Sequence, residues 1–258
     1  MEFQKLLETF RLNKAVTNSY LPDVSLFDKK GNPVYDYLKS DDSIIFFKET
    51  AYSFRQVLVF VKSKCSIAGQ NIQNSVFEFI RPGISSLSNE VLHNWALKNG
   101  FVHYKTFQRM AFLRKEKEKL DSLVDIEHPK DLEDLTAIKT FLEDNFDIFA
   151  ERIPSVEELK SLITGIYLIR DNRQIAALLI SEKKGVTEEL RYWLVKKEFR
   201  KKKYGGALMR YFLNKNGDTK RFVLWVDNTN EEAIDKYKHF GFSNDKIINE
   251  IYITKDLR

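Results

Sequence analysis

The sequence has a single cysteine, few histidines and no long apolar run. Because Cys65 has no second cysteine to pair with, an internal disulfide and a thiolate metal cluster are both excluded for this chain. The histidines are His93, His103, His128 and His239, and they show no ligand spacing, so we predict no metal site. The longest apolar runs, residues 44–47, 57–61 and 175–180, are too short to span a bilayer.

The N-terminal stretch mixes charged and apolar residues and lacks the apolar core of a signal peptide. We therefore expect a cytoplasmic protein without a membrane segment. The net charge of +5 is mild and suits an anionic ligand such as a nucleotide. We rank nucleic-acid binding last, because the lysine run is short and no aromatic stacking platform is interleaved with the basic residues.

A run of mixed charge at residues 114–122 lies close to the middle of the chain. It has no apolar stripe and is typical of a linker, although a charged loop inside one domain is the alternative. We predict two domains, residues 1–118 and residues 119–258. The sequence leaves the oligomeric state open, with a homodimer as one possibility.

The second half predicts a mixed α/β sheet. Ser155 and Glu158 form a capping-box pattern that opens a helix, and Gly241 closes another. Asp171, Asn172 and Arg173 indicate a hairpin turn. The predicted order is strand, two helices, three strands, helix, strand, helix and strand, at residues 122–127, 131–145, 155–163, 166–170, 174–181, 189–195, 205–215, 221–226, 231–240 and 247–254.

The strongest chemical signal lies at residues 194–213, LVKKEFRKKKYGGALMRYFL. A strand ends near Val195, a basic loop follows, and Gly205 and Gly206 open a helix. Positive charge and the free N–H groups of a helix start suit a pyrophosphate, and glycines permit close backbone approach. From physics alone, an ordinary surface turn explains the segment equally well.

Two motifs resemble those of the GNAT family of N-acetyltransferases. In the first, Arg/Gln-x-x-Gly-x-Gly/Ala, Arg200 and Gly205 match, whereas Lys203 stands where the family has its first glycine. If that position needs a left-handed backbone, a lysine there costs about 1–2 kcal/mol. The second motif, Asn-x-x-Ala-x-x-x-Tyr-x-x-x-Gly-Phe, is matched by Asn230, Ala233, Tyr237, Gly241 and Phe242.

The resemblance covers roughly residue 120 to the C-terminus. It implies a GNAT fold and an enzyme that moves an acetyl group from acetyl-CoA to a primary amine. It implies that the backbone of Leu194 and Val195 holds the pantetheine arm, and that Asn230 bonds this arm or orients the following helix. The pyrophosphate would be held by Arg200 and the amides of Lys201, Lys202, Lys203, Tyr204, Gly205 and Gly206.

The resemblance also implies catalytic roles. Tyr237 would protonate the leaving thiolate, which suits a phenol because its ordinary pKa of about 10 is close to that of a thiol. The alternative is a tyrosine that only packs under the sheet. Glu189 resembles the general base of the histone acetyltransferase branch, and the other candidates for a base are Glu188, Tyr192 and Asp227. The sequence does not fix the acceptor amine.

The first half also predicts mixed α/β structure, with strands at residues 43–48, 54–61, 76–80 and 102–113 and a helix at 89–98. Its ending, WALKNGF, resembles KYKHFGF of the second half. This suggests a degenerate second GNAT-like fold, and an unrelated α/β cap is the alternative. If Gly100 is aligned with Gly241, Ala96 takes the position of Tyr237, and no Arg-x-x-Gly-x-Gly loop stands between Val61 and Val76. The first half would then neither grip a pyrophosphate nor donate a proton.

A different class of function stays open at this point. A non-catalytic acyl-CoA sensor is suggested by Lys203 in the loop and by the uncertain base. Such a sensor would bind acetyl-CoA but would release no CoA with any amine.

Overall fold

A computed structural model describes residues 8, 15–18, 26, 28, 32–62, 72–83, 87–114, 125–215 and 218–258. The chain forms two compact units. The first comprises Met1–Phe107 with Lys246–Arg258, and the second comprises Gln108–Asp245. This division differs from the boundary predicted at residue 118, because the last strand returns to the first unit. Cys65 and residues 115–122 of the predicted linker lie outside the described residues.

Both units are mixed α/β, as predicted. The strands β1–β11 are Ala15–Thr17, Asp36–Lys39, Ser43–Glu49, Arg55–Lys62, Ser75–Pro82, Phe101–Leu113, Ile166–Asp171, Gln174–Lys184, Thr187–Val195, Arg221–Asp227 and Ser243–Thr254. The helices α1–α5 are Leu87–Lys98, Leu132–Glu143, Val156–Ser161, Tyr204–Lys215 and Glu231–His239. Short 3-10 turns occupy Ile163–Gly165, Lys197–Lys202 and Lys255–Leu257.

The first unit has a sheet in which neighbouring strands follow the order β2-β3-β4-β5-β11, and β1 pairs with β4. Strands β3 and β4 are antiparallel, whereas β4 and β5 are parallel. Aromatic rings of Phe77, Trp95, Phe101 and Tyr252 fill its core, and the Phe77 and Trp95 centroids lie 5.1 Å apart. The strands predicted at residues 43–48 and 54–61 do pair with each other.

The second unit is built on the strand order β10-β9-β8-β7. Residues 175–181 of β8 are all buried, because helices cover both faces of this strand. Leu179 faces a core with α4 and α5, and Leu178 faces a core with α2 and α3. This alternation is what the period of two in a strand requires.

Local sequence signals set the ends of these elements. The Asp134 N–H donates to the side chain of Asp131 at 2.9 Å, and the Glu158 N–H donates to Ser155 Oγ at 3.1 Å. The second of these helices therefore begins where the capping box predicted, and Asp131 caps the helix predicted from residue 131. In the β7–β8 hairpin the turn residues are Asn172 and Arg173, with φ of 50° and 65°, whereas Asp171 ends the strand.

The first predicted strand of the second half is described only in part. Residues 122–124 lie outside the described residues. Glu127 forms an isolated antiparallel bridge with Leu168 of β7, and their backbone N–H and C=O groups exchange hydrogen bonds of 2.9 Å.

No helix in the described ranges is both long enough and apolar enough to cross a lipid bilayer. Within the same residues, no cluster of three or more His, Cys, Asp or Glu side chains could hold a metal ion.

Gly241 combines a left-handed backbone with a close neighbour. Its φ is 89°, and a Cβ there would lie 3.2 Å from ring carbons of Phe112. We predict that Gly241→Ala lowers the free energy of unfolding by about 1 kcal/mol more than Gly185→Ala, because overpacking adds to the left-handed strain. Gly185 is the matched control, since its φ is 63° but a Cβ there would meet no atom within 4 Å. Urea unfolding measures both, and equal losses would show that Phe112 moves aside.

Candidate active site

Two neighbouring parallel strands of the second unit separate partway along their length. Residues 187–190 of β9 pair with residues 221–224 of β10, and the pairing of these two strands ends there. Yet β9 continues to Val195 and β10 continues to Asp227. The strands therefore diverge and leave a gap between their carboxyl ends.

The cause of the divergence is in β9 itself. Its antiparallel register with β8 shifts between the pairs Ile180–Tyr192 and Ser181–Leu190. Arg191 is thus an extra residue on β9, and a bulge of this kind bends the bulged strand.

The edge of β9 that faces the gap presents backbone groups. The Lys196 N–H donates to the Ala176 carbonyl of β8 at 2.9 Å. Successive residues of a strand direct their N–H and C=O groups to opposite sides. The register therefore directs the backbone groups of Leu194 toward β8 and those of Trp193 and Val195 toward the gap. We expect Val195, rather than Leu194, to bond an extended ligand there.

The predicted basic loop lies beside this gap. It consists of the 3-10 turn Lys197–Lys202 followed by Lys203, whose φ of 61° and ψ of 13° are left-handed. Helix α4 begins next, and its first bond runs from the Ala207 N–H to the Lys203 carbonyl at 3.1 Å. The N–H groups of residues 204–206 precede this bond and are available to an anion.

Lys203 takes the backbone conformation that a glycine would take at this place in the motif. A lysine in this left-handed conformation costs about 1–2 kcal/mol, which is the cost given from the sequence for this case. The loop keeps the turn into α4 despite the substitution. The departure from the family pattern therefore does not argue against anion binding.

Two residues of the loop are used to anchor it. Lys202 Nζ donates to Asp171 Oδ2 at 2.5 Å, and the Tyr204 hydroxyl donates to the same oxygen at 2.7 Å. These bonds, first that of Lys202 and then that of Tyr204, lower the pKa of the Asp171 carboxyl. Lys202 and Tyr204 thus fix the loop to the β7–β8 turn, while Arg200, Lys201 and Lys203 are exposed.

The two glycines of the loop have different neighbours. A Cβ at Gly205 would lie 3.1 Å from Val195 Cγ2 and 3.3 Å from Trp193 Cζ2, and the Trp193 indole N–H donates to the Gly205 carbonyl at 3.1 Å. Gly205 therefore lets α4 pack closely on β9, a reason the sequence did not suggest. A Cβ at Gly206 would meet the Arg210 guanidinium at 3.4 Å.

Tyr237 lies on α5 with its ring against Trp193, at a centroid distance of 5.3 Å. The residue is 9% exposed. Burial raises the pKa of this phenol, and the negative charge of Glu151 raises it further. Tyr237 therefore keeps its proton at neutral pH.

Asn230 has a structural part in this arrangement. It is the N-cap of α5, and its Oδ1 accepts the Ala233 N–H at 3.1 Å. Of the two roles that the resemblance implied, this contact supports orientation of the helix that carries Tyr237.

The carboxylates proposed as bases are engaged with other residues. Glu189 is paired with Lys184 at 2.5 Å. Glu188 is buried and accepts the Ser181 hydroxyl at 2.7 Å. Asp227 accepts the backbone and hydroxyl groups of Thr229 at 2.9 and 2.7 Å.

The loop between α2 and α3 brings a further carboxylate, Glu151, that the sequence reasoning missed. The Arg152 carbonyl accepts the Tyr192 hydroxyl at 2.5 Å and the Arg191 guanidinium at 3.2 Å, so the loop is fixed to the bulge of β9. Burial raises the pKa of Tyr192, and Glu151 raises the pKa of both Tyr192 and Tyr237. Its charge thus reaches both phenols. No periodic signal marks a loop residue of this kind.

Comparison with known proteins agrees with this geometry. Residues 126–242 match the model of the acetyltransferase (GNAT) family. This match lies within the second unit of the chain. None of the curated proteins compared with the sequence matches it.

Solved structures share the fold. A GCN5-related N-acetyltransferase from Sphaerobacter thermophilus is 11% identical, with a TM-score of 0.54 over 88% of this chain and 78% of that chain. One from Kribbella flavida is 10% identical, with a TM-score of 0.54 over 86% and 90%. A GNAT-family acetyltransferase from Colwellia psychrerythraea is 12% identical, with a TM-score of 0.53 over 96% of both chains.

The strain at Lys203 gives a test of the loop. We predict that Lys203→Gly raises the free energy of unfolding by about 1 kcal/mol, because glycine adopts a positive φ without the Cβ penalty. Lys201→Gly is the matched control, since it removes the same charge from the 3-10 turn, where no left-handed strain is relieved. Thermal unfolding by calorimetry compares the two. Equal shifts would mean that charge, rather than backbone strain, is responsible.

Proposed function

We propose that the second unit transfers an acetyl group from acetyl-CoA to a primary amine, by direct attack within a ternary complex. The observation that carries this proposal is the gap between β9 and β10. Three features support it: the edge of β9 beyond its pairing with β10, the basic helix start beside it, and Tyr237, whose ring contacts Trp193 of β9.

The residues around the gap fit the parts of acetyl-CoA. The backbone groups of Val195 suit the amides of an extended pantetheine arm. The N–H groups of residues 204–206 suit the pyrophosphate, since a helix start attracts anions. Arg200, Lys201 and Lys203 are the exposed cations that would neutralise its charge, whereas Lys202 anchors the loop.

The same residues suit acyl transfer. Acetyl-CoA supplies a thioester, whose carbonyl carbon accepts the lone pair of an amine as the C–S bond breaks. A Val195 N–H aimed at the carbonyl oxygen would stabilise the charge that develops there. Tyr237 would donate a hydrogen bond and then its proton to the leaving sulfur. Because burial raises the pKa of this phenol, transfer is favoured only once the sulfur carries substantial negative charge.

The attacking amine must lose a proton, and we propose Glu151 as the acceptor of that proton. Its negative charge acts on Tyr237, whose ring contacts Trp193 of β9, and its loop is fixed to β9 by Tyr192 and Arg191. Glu189, the base suggested by the family resemblance, is paired with Lys184. A carboxylate also attracts an amine that arrives as an ammonium ion, so a cationic acceptor is the class that we propose.

Removing the hydroxyl of Tyr237 tests the proposed acid. We expect Tyr237→Phe to lower kcat about a hundredfold while the acetyl-CoA Kd and the melting temperature stay nearly unchanged, because the ring that packs on Trp193 is retained. Tyr252→Phe is the control for kcat alone, since it removes the hydroxyl of a buried tyrosine from the first unit, where that hydroxyl is hydrogen-bonded to His93 Nδ1 at 2.7 Å. CoA release with an amine panel and calorimetric binding provide the measurements. Unchanged turnover would remove Tyr237 from the acid role.

Three carboxylate variants identify the base. We expect Glu151→Gln to lower kcat/KM for the amine at least about tenfold, since general bases commonly contribute more than this. We expect Glu189→Gln to stay close to the wild-type value, and exposed Glu157→Gln serves as the matched control from the same region. A loss confined to Glu189→Gln would restore Glu189 as the base.

A further inference from the structure

The first unit contains a second pair of parallel strands that separate. Residues 55–57 of β4 pair with residues 75–77 of β5, and the register of these two strands ends there. Strand β4 nevertheless continues to Lys62, and β5 continues to Pro82. Taken by itself, the first unit therefore repeats the arrangement that forms the gap between β9 and β10.

In the first unit this gap is filled by the chain itself. Residues 15–17, which form β1, pair antiparallel with residues 60–62 of β4. The edge of β4 away from β3 is thus bonded to β5 at one end and to β1 at the other.

Between the β4–β5 pairing and the β1–β4 pairing, the side chain of Asn18 bonds the two separated strands. Its Nδ2 donates to the Val57 carbonyl of β4 at 2.9 Å and to the Glu78 carbonyl of β5 at 2.7 Å. Its Oδ1 accepts the Val59 N–H at 2.8 Å. Asn18 is 5% exposed, so these bonds are buried. One carboxamide therefore satisfies backbone groups on both separated strands.

We infer that residues 15–18 hold, in the first unit, the place that an acyl-CoA arm would hold in the second. The chemistry is the same in both cases, because an extended chain and an amide bond the free edge of a strand. Since the groups of Val57 and Val59 are already bonded, the first unit is complete without a ligand. The chain should therefore bind one acetyl-CoA, through the second unit.

Residues 15–18 thereby stabilise the first unit, and this role is separate from the acyl transfer proposed for the second unit. A buried backbone group without a partner is costly, so two separated strands need something to bond them. In the first unit the partner is covalently attached and always present. Loss of Asn18 should therefore affect stability whether or not acetyl-CoA is added.

Substitution of Asn18 tests the first part of the inference. Asn18→Asp keeps the shape but cannot donate to the Val57 and Glu78 carbonyls, and we expect its melting temperature to fall by about 5 °C or more. Asn18→Ala should give a smaller but clear fall, and it serves where the aspartate variant does not fold. Asn94→Asp, an exposed position on α1, is the control for the change of charge. If Asn18→Asp and Asn18→Ala melted at the same temperature as Asn94→Asp, the inference would be overturned.

Hydrogen exchange of the wild-type chain tests the second part. Amides of residues 57–62 should be protected equally with and without acetyl-CoA, whereas residues 192–195 should gain protection when it is added. Calorimetry should give one site per chain. Gain of protection at residues 57–62, or two sites, would overturn the inference. If acetyl-CoA bound nowhere, the proposed acyl transfer would fail, and the Asn18 variants would still decide whether residues 15–18 complete the first unit.

Discussion

The separation of two parallel strands is the constraint on which the second unit depends. Parallel neighbours normally bond each other along their length, so parting them leaves backbone groups that need other partners. The bulge at Arg191 bends β9 away from β10 and produces this condition. The course of β9 also positions residues on two helices, because α4 packs on β9 through Gly205 and Tyr237 of α5 contacts Trp193 of β9.

The two units respond to this constraint in different ways. In the first, β1 and the carboxamide of Asn18 bond the parted strands, and the backbone groups are satisfied inside the chain. In the second, the edge at Val195 has no strand partner among the described residues, while a basic helix start lies next to it. The same strand arrangement is thus closed by the chain itself in one unit and leaves an open strand edge in the other.

Much of the fold could be predicted from the sequence, because it follows from local patterns. Alternation and capping residues placed β8 and the starts of α2 and α3 within a few residues of where they lie. The motif glycine raised the condition of a left-handed backbone at Lys203, and the structure meets that condition. The assignments of Tyr237 and the loop came from family motifs, and no physical pattern would have separated them from packing residues.

Other features could not be predicted, because they arise from contacts between residues distant in sequence. The loop of Glu151 is held against β9 because the carbonyl of the next residue, Arg152, accepts the hydroxyl of Tyr192, which lies some forty residues away in sequence. The role of Asn18 could not be predicted, because it arises from hydrogen bonds to backbone groups of Val57, Val59 and Glu78, which are distant in sequence. The use of Lys202 as an anchor, rather than as a ligand for phosphate, depends on a turn carrying Asp171.

That anchor has a consequence for the thermodynamics of association. Lys202 and Tyr204 hold the loop against Asp171 before any ligand arrives, so the loop is already ordered in the free protein. A flexible loop would lose conformational entropy when it closed around a phosphate, and that loss would weaken binding. In this chain the loop loses that conformational entropy when the protein folds, before any ligand binds. One carboxylate, placed among lysines whose charge it partly cancels, thereby holds the loop in one conformation.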